Sequence, residues 1–212
     1  MNIAIKHLRL DAFSLIYLAL LATASLGVER NNLLPRPQQM QYGEGKLFLK
    51  GLAISFRSSP LPEDLFAATT LASALSDAAG AKVPVLQSPV SPPGIVFYRT
   101  GAVDALPGPD ELPGPDSREA YQISITPEGA EVRARSSAGL YFAAQTMRQM
   151  VEEMTGEKYL PVATIRDWPS LAYRGFMMDT SHGGHLTEVE IKRQIEFASR
   201  WLLGELGFLQ RE

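Results

Sequence analysis

Two stripes of apolar residues at helical spacing, each set among short strand-like runs, constrain this chain more than any other feature. Leu61, Leu65, Ala68, Ala72, Leu75 and Ala79 recur at intervals of four and three, which puts them on one face of a helix. Pro62 suits the first turn, Glu63 and Asp64 complement the helix dipole, and Gly80 stands at the end. The second stripe is Leu140, Ala143, Ala144, Met147, Val151 and Met154, with Ser136 or Ser137 as its cap and Gly156 marking its end. Its methionines read as flexible core fillers, with a binding face as the alternative.

Around these stripes lie runs bounded by glycine and proline. Lys46 to Leu49, Leu52 to Phe56 and Ile95 to Tyr98 read as strands. Tyr121, Ile123 and Ile125 alternate with polar residues up to the turn Pro127-Glu128-Gly129, and Val132 and Ala134 continue the alternation beyond it. That is a hairpin with one buried face. The order ββαβββα predicts an α+β domain, with two helices packed on one sheet. Between Ala102 and Arg118 the near-duplicates Leu106-Pro-Gly-Pro-Asp110 and Leu112-Pro-Gly-Pro-Asp116 mark a loop insertion, expected to be mobile and exposed.

A hydrophobic fraction of 45% and a charged fraction of 20% are those of a folded, soluble protein. The net charge of −3 offers no basic footprint for nucleic acid, which is not expected as a partner. Cysteine is absent, so neither disulfides nor thiolate metal sites are available. Lys6 and Arg9, an apolar run from Ala12 to about Leu21, and the small-x-small pattern Ala22-Thr23-Ala24 predict a signal peptide over residues 1–24. A buried or anchoring helix is the alternative, although the run is short of the roughly 20 apolar residues a membrane span needs. Secreted or periplasmic location is expected, with no membrane contact after cleavage.

The last segment changes character. Tyr173 to Asp179 is a mostly apolar strand of the kind found in sheets covered on both faces. A loop from Thr180 to Leu186 leads to Thr187-Glu188-Val189-Glu190, a capping box, and Ile191, Ile195, Ala198 and Leu202 form the stripe of a helix that Gly204 ends. This is one βα unit, with room after it for one further strand.

Asp167-Trp168-Pro169, then Tyr173-Arg174-Gly175-Phe176-Met177-Met178-Asp179-Thr180-Ser181, then Glu190-Ile191-Lys192-Arg193, resemble the first barrel strand and helix of glycoside hydrolase family 20, chiefly β-N-acetylhexosaminidases. Leu34-Pro35-Arg36-Pro37 and the passage from Glu119 to Met150 resemble that family's non-catalytic N-terminal domain. The resemblance implies that residues 31–165 form this α+β domain and that residues 166–212 begin a (β/α)8 barrel, whose functional groups gather at the C-terminal ends of its strands. It also implies substrate-assisted, retaining removal of terminal N-acetylhexosamine from glycans, an exception to the two-carboxylate scheme. The acetamido oxygen of the substrate attacks, a glutamate is general acid, and the aspartate before it orients the acetamido group. No Asp-Glu dipeptide follows Asp179, so no catalytic residue is assigned and the chain alone is expected to be an inactive, C-terminally truncated copy. His182 follows Ser181 where the common pattern has arginine, and the likeness stops beyond Trp201.

Arg174 matches the family arginine that binds hydroxyls of the terminal sugar, its guanidinium being a rigid fork of donors. A structural ion pair is the alternative. Asp179 ends the strand, and alternation puts it opposite Arg174, so a supporting, loop-holding role is expected. Asp179, Ser181 and His182 invite a nucleophile reading, but neighbours in one loop rarely align as a triad and no Gly-x-Ser-x-Gly elbow is present. His182 and His185 lack the helical spacing of a zinc motif; an exposed glycine-rich loop is expected, with no metal and no cofactor. A secreted, non-enzymatic module binding glycan or protein is the second reading. Trp168 and Trp201 are expected in packing roles, sugar preference stays open, and so does oligomeric state.

Overall fold

The computed structural model describes residues 33–87, 93–104, 106–108, 110–179, 186–202 and 205–209, with Met178, Asp179 and 205–209 as backbone. The signal segment 1–24, the loop residues Ser181, His182 and His185, and Gly204 lie outside the described residues.

One mixed sheet of seven strands dominates: β1 (Gln39–Phe48), β2 (Ile54–Phe56), β3 (Gly94–Arg99), β4 (Tyr121–Thr126), β5 (Gly129–Ala134), β6 (Glu152–Met154) and β7 (Glu157–Asp167). Their order across the sheet is β1-β7-β4-β5-β3-β2, with β6 paired to β7. Neighbours β1, β7, β4 and β5 run antiparallel, whereas β5, β3 and β2 run parallel. Helices α1 (Pro62–Ala79) and α2 (Ser137–Gln149) pack on each other and on one face of the sheet. The core lies between, built on Ile54, Phe97, Ile95, Val132, Ile123, Ile165, Leu71, Leu75, Leu140 and Met147, all at most 1% exposed. Full burial of each such side chain stabilises by roughly 1.5–3 kcal/mol.

Local chemistry places the helices. Asp64 reaches back to accept from the Leu61 N–H (2.9 Å), and Gly80 closes α1 in the left-handed region at φ 63°. Ser136, not Ser137, caps α2, accepting from the N–H groups of Ala138 and Gly139. Ser137 donates instead to Asp64 (2.6 Å), which also accepts from Arg99 (3.1 Å), so one buried carboxylate ties α1, α2 and β3 together. Gly139 lets α2 press onto the hairpin. A Cβ there would lie 2.6 Å from the Ala120 carbonyl oxygen and 2.7 Å from Ala134 Cβ.

The structure corrects several expectations. The buried face of α1 is Asp64, Ala67, Ala68, Leu71, Ala72 and Leu75, while Leu61 is exposed. Helix α2 stops at Gln149, and Glu152–Met154 turns through Thr155-Gly156 into β7, because both turn residues adopt positive φ (52° and 83°). Strand β7 was not expected at all, and β1 starts seven residues earlier than the predicted Lys46, at Gln39. The insertion near Pro107 is only partly loose: Leu106 and Leu112 are exposed, but Ser117 and Glu119 are buried. The sheet runs through Asp167, so the expected boundary at 165 falls inside β7.

After β7 the chain forms a parallel βαβ unit, β8 (Gly175–Asp179), α3 (Glu188–Arg200) and β9 (Glu205–Leu209). Thr187 caps α3 by accepting from the Glu190 N–H, while the Glu190 carboxylate accepts from Gln194 and Arg193. The predicted stripe is only half buried. Ala198 and Leu202 are covered, but Ile195 is 47% exposed, since two strands cannot cover a barrel helix.

Candidate functional site

The junction between β7 and β8 gathers an extended polar network. Tyr121, the first residue of β4, and Asp167, the last of β7, face each other in register. Both side chains point to the helix side, where the Tyr121 hydroxyl donates to Asp167 Oδ2 (2.7 Å) and meets Thr146 Oγ1 of α2 at 2.6 Å. Burial, then the adjacent Asp167 charge, push the Tyr121 phenol well above its ordinary range, outweighing the Thr146 contact, which lowers it. The other oxygen of Asp167 accepts from the Gln38 N–H (3.0 Å), and the Gln38 amide donates to Ser170 Oγ (2.6 Å).

Beside this cluster Glu119, 6% exposed at its side chain, accepts from two guanidinia, Arg118 (3.1 Å) and Arg174. Arg118 also donates to Glu111 (2.6 Å), which accepts from the Gly108 N–H as well. Burial raises the Glu111 pKa, yet the Gly108 and Arg118 hydrogen bonds outweigh it and hold the carboxyl below its usual value. Arg174 is held by protein at each of its three nitrogens: beside the Glu119 contact, Nη1 donates to the Leu171 carbonyl (2.7 Å) and Nε to the Leu202 carbonyl (3.2 Å), and its face rests 5.9 Å from the Phe142 ring centroid. Gln149 adds a further tie, donating to the carbonyls of Leu34 and Arg200. Tyr121, Phe142, Trp168, Leu171, Arg174 and Glu119 line a cavity of about 180 Å³ here.

The structure therefore places Arg174 just before β8, at the boundary, as the ion-pair partner of Glu119. Asp179 ends β8, its backbone in register with Leu209 of β9. Trp168 is half-buried at the junction, whereas Trp201 is 41% exposed against Phe197. Among the described residues no cluster of three metal-ligating side chains occurs. Sequence reasoning missed Glu119, Thr146 and Asp167. One signal was present: Asp167 sits in phase with Ala163 and Ile165, so a carboxylate occupies an inward position of an alternating strand.

A helix-backed mixed sheet clamped to a parallel βαβ unit defines an α+β domain leading into the start of a (β/α)8 barrel. The family model Glycosyl hydrolase family 20, domain 2, matches residues 30–168. N,N'-diacetylchitobiase of Vibrio harveyi is 31% identical over 155 residues, 72% of this chain and 15% of that protein. A beta-N-acetylhexosaminidase of Cellulomonas fimi is 28% identical over 149 residues, 70% of this chain and 28% of that protein. The Flavobacterium johnsoniae chitobiase superposes with a TM-score of 0.68 at 19% identity, over 83% of this chain and 26% of that one. This chain belongs to glycoside hydrolase family 20 and carries its domain 2. It spans well under a third of each of these relatives.

Proposed function

We propose that the chain is the domain 2 and barrel start of a secreted β-N-acetylhexosaminidase that removes terminal N-acetylhexosamine from glycans. The family match over residues 30–168 carries this reading. The relatives named chitobiase and hexosaminidase support the substrate class. In the intact enzyme the general acid and its aspartate partner come from a later barrel strand. The domain described here fixes where the first strand starts, through Glu119 and Arg174. A guanidinium has five N–H groups, and three on Arg174 are engaged, leaving two for sugar hydroxyls once the barrel is complete. The 212-residue chain by itself has no Asp-Glu pair beyond Asp179 and is inactive in this reading. Export removes residues 1–24.

The test has two arms. Purified chain is assayed on a chromogenic N-acetylglucosaminide, where no turnover above a buffer blank is expected; clear turnover overturns the claim of inactivity. The DNA beyond the codon for Glu212 is read in all three frames. A barrel carrying an Asp-Glu pair supports the hydrolase reading, and its absence from every frame overturns it in favour of a non-enzymatic module.

A further inference from the structure

Among the described residues no helix covers the sheet face turned away from α1 and α2, and its residues are not those of a neutral surface. Register aligns Gln39, Arg166, Gln122, Arg133 and Tyr98 in one row across β1, β7, β4, β5 and β3. Arg135, just past β5, projects toward the same side, and Arg57 follows β2. Arg133, Arg135, Arg166, Gln122 and Trp168 line an open concavity of about 360 Å³, walled by Pro115 and Asp116. A second hollow continues past Arg166 toward Arg36.

Arg57 is paired with Glu131, whereas the guanidinia lining the concavity are less fully satisfied. Arg166 makes no ion pair among the described residues and lies 5.6 Å from the Trp168 ring centroid. Arg135 donates to the Asp116 carbonyl (3.1 Å) and meets its carboxylate at 3.8 Å, with the aspartate side chain 98% exposed, and Arg133 meets Glu131 at 3.5 Å. Asp167 borders the concavity, but its carboxylate is taken by Tyr121 and the Gln38 N–H. A face this rich in arginine, on a chain of net charge −3, is complementary to an anion.

We propose that this face binds a sulfated hexosamine glycan. Neighbouring strands are about 4.8 Å apart, so Arg166 on β7 and Arg133 on β5 stand roughly 10 Å apart across β4. That spacing suits charges repeated along a polymer better than one small anion. A sulfate ester offers three terminal oxygens and can bridge Arg133 and Arg135, while a further sulfate along the chain reaches Arg166. Single-stranded nucleic acid is disfavoured because it needs free aromatic faces. Here Arg57 and Arg133 lie 4.9 Å and 5.3 Å from the Tyr98 ring centroid, and Arg166 covers Trp168. Naming a hexosamine polymer rests on the proposed function; the anionic character rests on the face alone.

The test is titration of the full chain with size-fractionated heparin oligosaccharides at low salt. Parallel titrations use hyaluronan, neutral chitin oligomers and a single-stranded oligonucleotide. Binding to heparin at least tenfold tighter than to any of the three, weakened by added salt, is expected. The double variant R133Q/R166Q should lose at least tenfold in affinity with an unchanged circular-dichroism spectrum. Should that variant unfold, R135Q alone, at a half-exposed site, should lose at least threefold. Absence of heparin binding, equal binding of hyaluronan or the oligonucleotide, or folded variants that bind like the parent would each overturn the proposal. Failure of the downstream barrel search would remove the hydrolase reading and leave this binding result standing.

Discussion

Replacing Glu119 by glutamine should loosen the junction without changing its volume. The carboxylate accepts from Arg118 through Oε1 (3.1 Å) and from Arg174 through Oε2, and its side chain is 6% exposed. Hydrogen bonds to charged groups contribute about 1.5–3 kcal/mol each. Glutamine keeps one carbonyl acceptor and turns an amide N–H₂ toward the other guanidinium. Breaking a buried pair outright costs about 3–5 kcal/mol, but Arg118 retains Glu111 and Arg174 retains two carbonyls, which softens the loss. A destabilisation of about 2–3 kcal/mol is therefore expected. Urea unfolding at pH 7, followed by circular dichroism and by the fluorescence of Trp168 and Trp201, measures it. A double-mutant cycle with Arg174→Gln should give a coupling of about 1 kcal/mol or more. A shift below about 0.5 kcal/mol for Glu119→Gln, or additive losses in the cycle, would refute the assignment of Glu119 as the residue that holds Arg174.

Two further substitutions test the packing. Tyr121→Phe leaves Asp167 Oδ2 and Thr146 without their shared hydroxyl and should cost about 1–3 kcal/mol. Because the Tyr121 pKa is raised on folding, its contribution is fully present below the ordinary tyrosine value near 10 and fades as pH rises above it. The parent's alkaline unfolding should accordingly be steeper than that of the variant in a pH-stepped melt, and identical slopes would count against the buried phenol. Gly139→Ala gains about 1 kcal/mol of helix propensity but forces a methyl into the Ala120 carbonyl, so a lower melting temperature is expected, and a higher one would show that α2 can back away.

The sequence was most legible where one rule acted alone. The hairpin at Pro127 alternates cleanly, α1 has proline at one end and glycine at the other, and both appear in the structure. Strand β7 escaped because Pro161 stands in its middle, and proline argues against an interior strand. The structure resolves the conflict physically. β4 pairs with β7 only over residues 163–167, β6 only over residues 157–159, and β1 shifts register between Tyr42 and Lys46 opposite this stretch. Pro161 thus faces Lys46 of β1 beside the register shift, and on its other side falls in the gap between β4 and β6. The end of α2 was misjudged because Val151 and Met154 happen to extend the helical period, while the turn at Thr155-Gly156 depends on positive φ that periodicity does not reveal. At the junction, Arg174 was visible as a motif residue, but its partner Glu119 lies 55 residues away and no spacing rule links them.

The pairing of β1 with β7 joins residues near 39 to residues near 166. During synthesis β1 leaves the ribosome long before the strand that will lie beside it, and until then it has neither a neighbour nor a fixed alignment. The sheet can close only when the residues that begin the barrel are themselves emerging. Completion of this domain and initiation of the next are therefore a single event in time, and the clamp at Asp167 and Glu119 is set as the new strand appears.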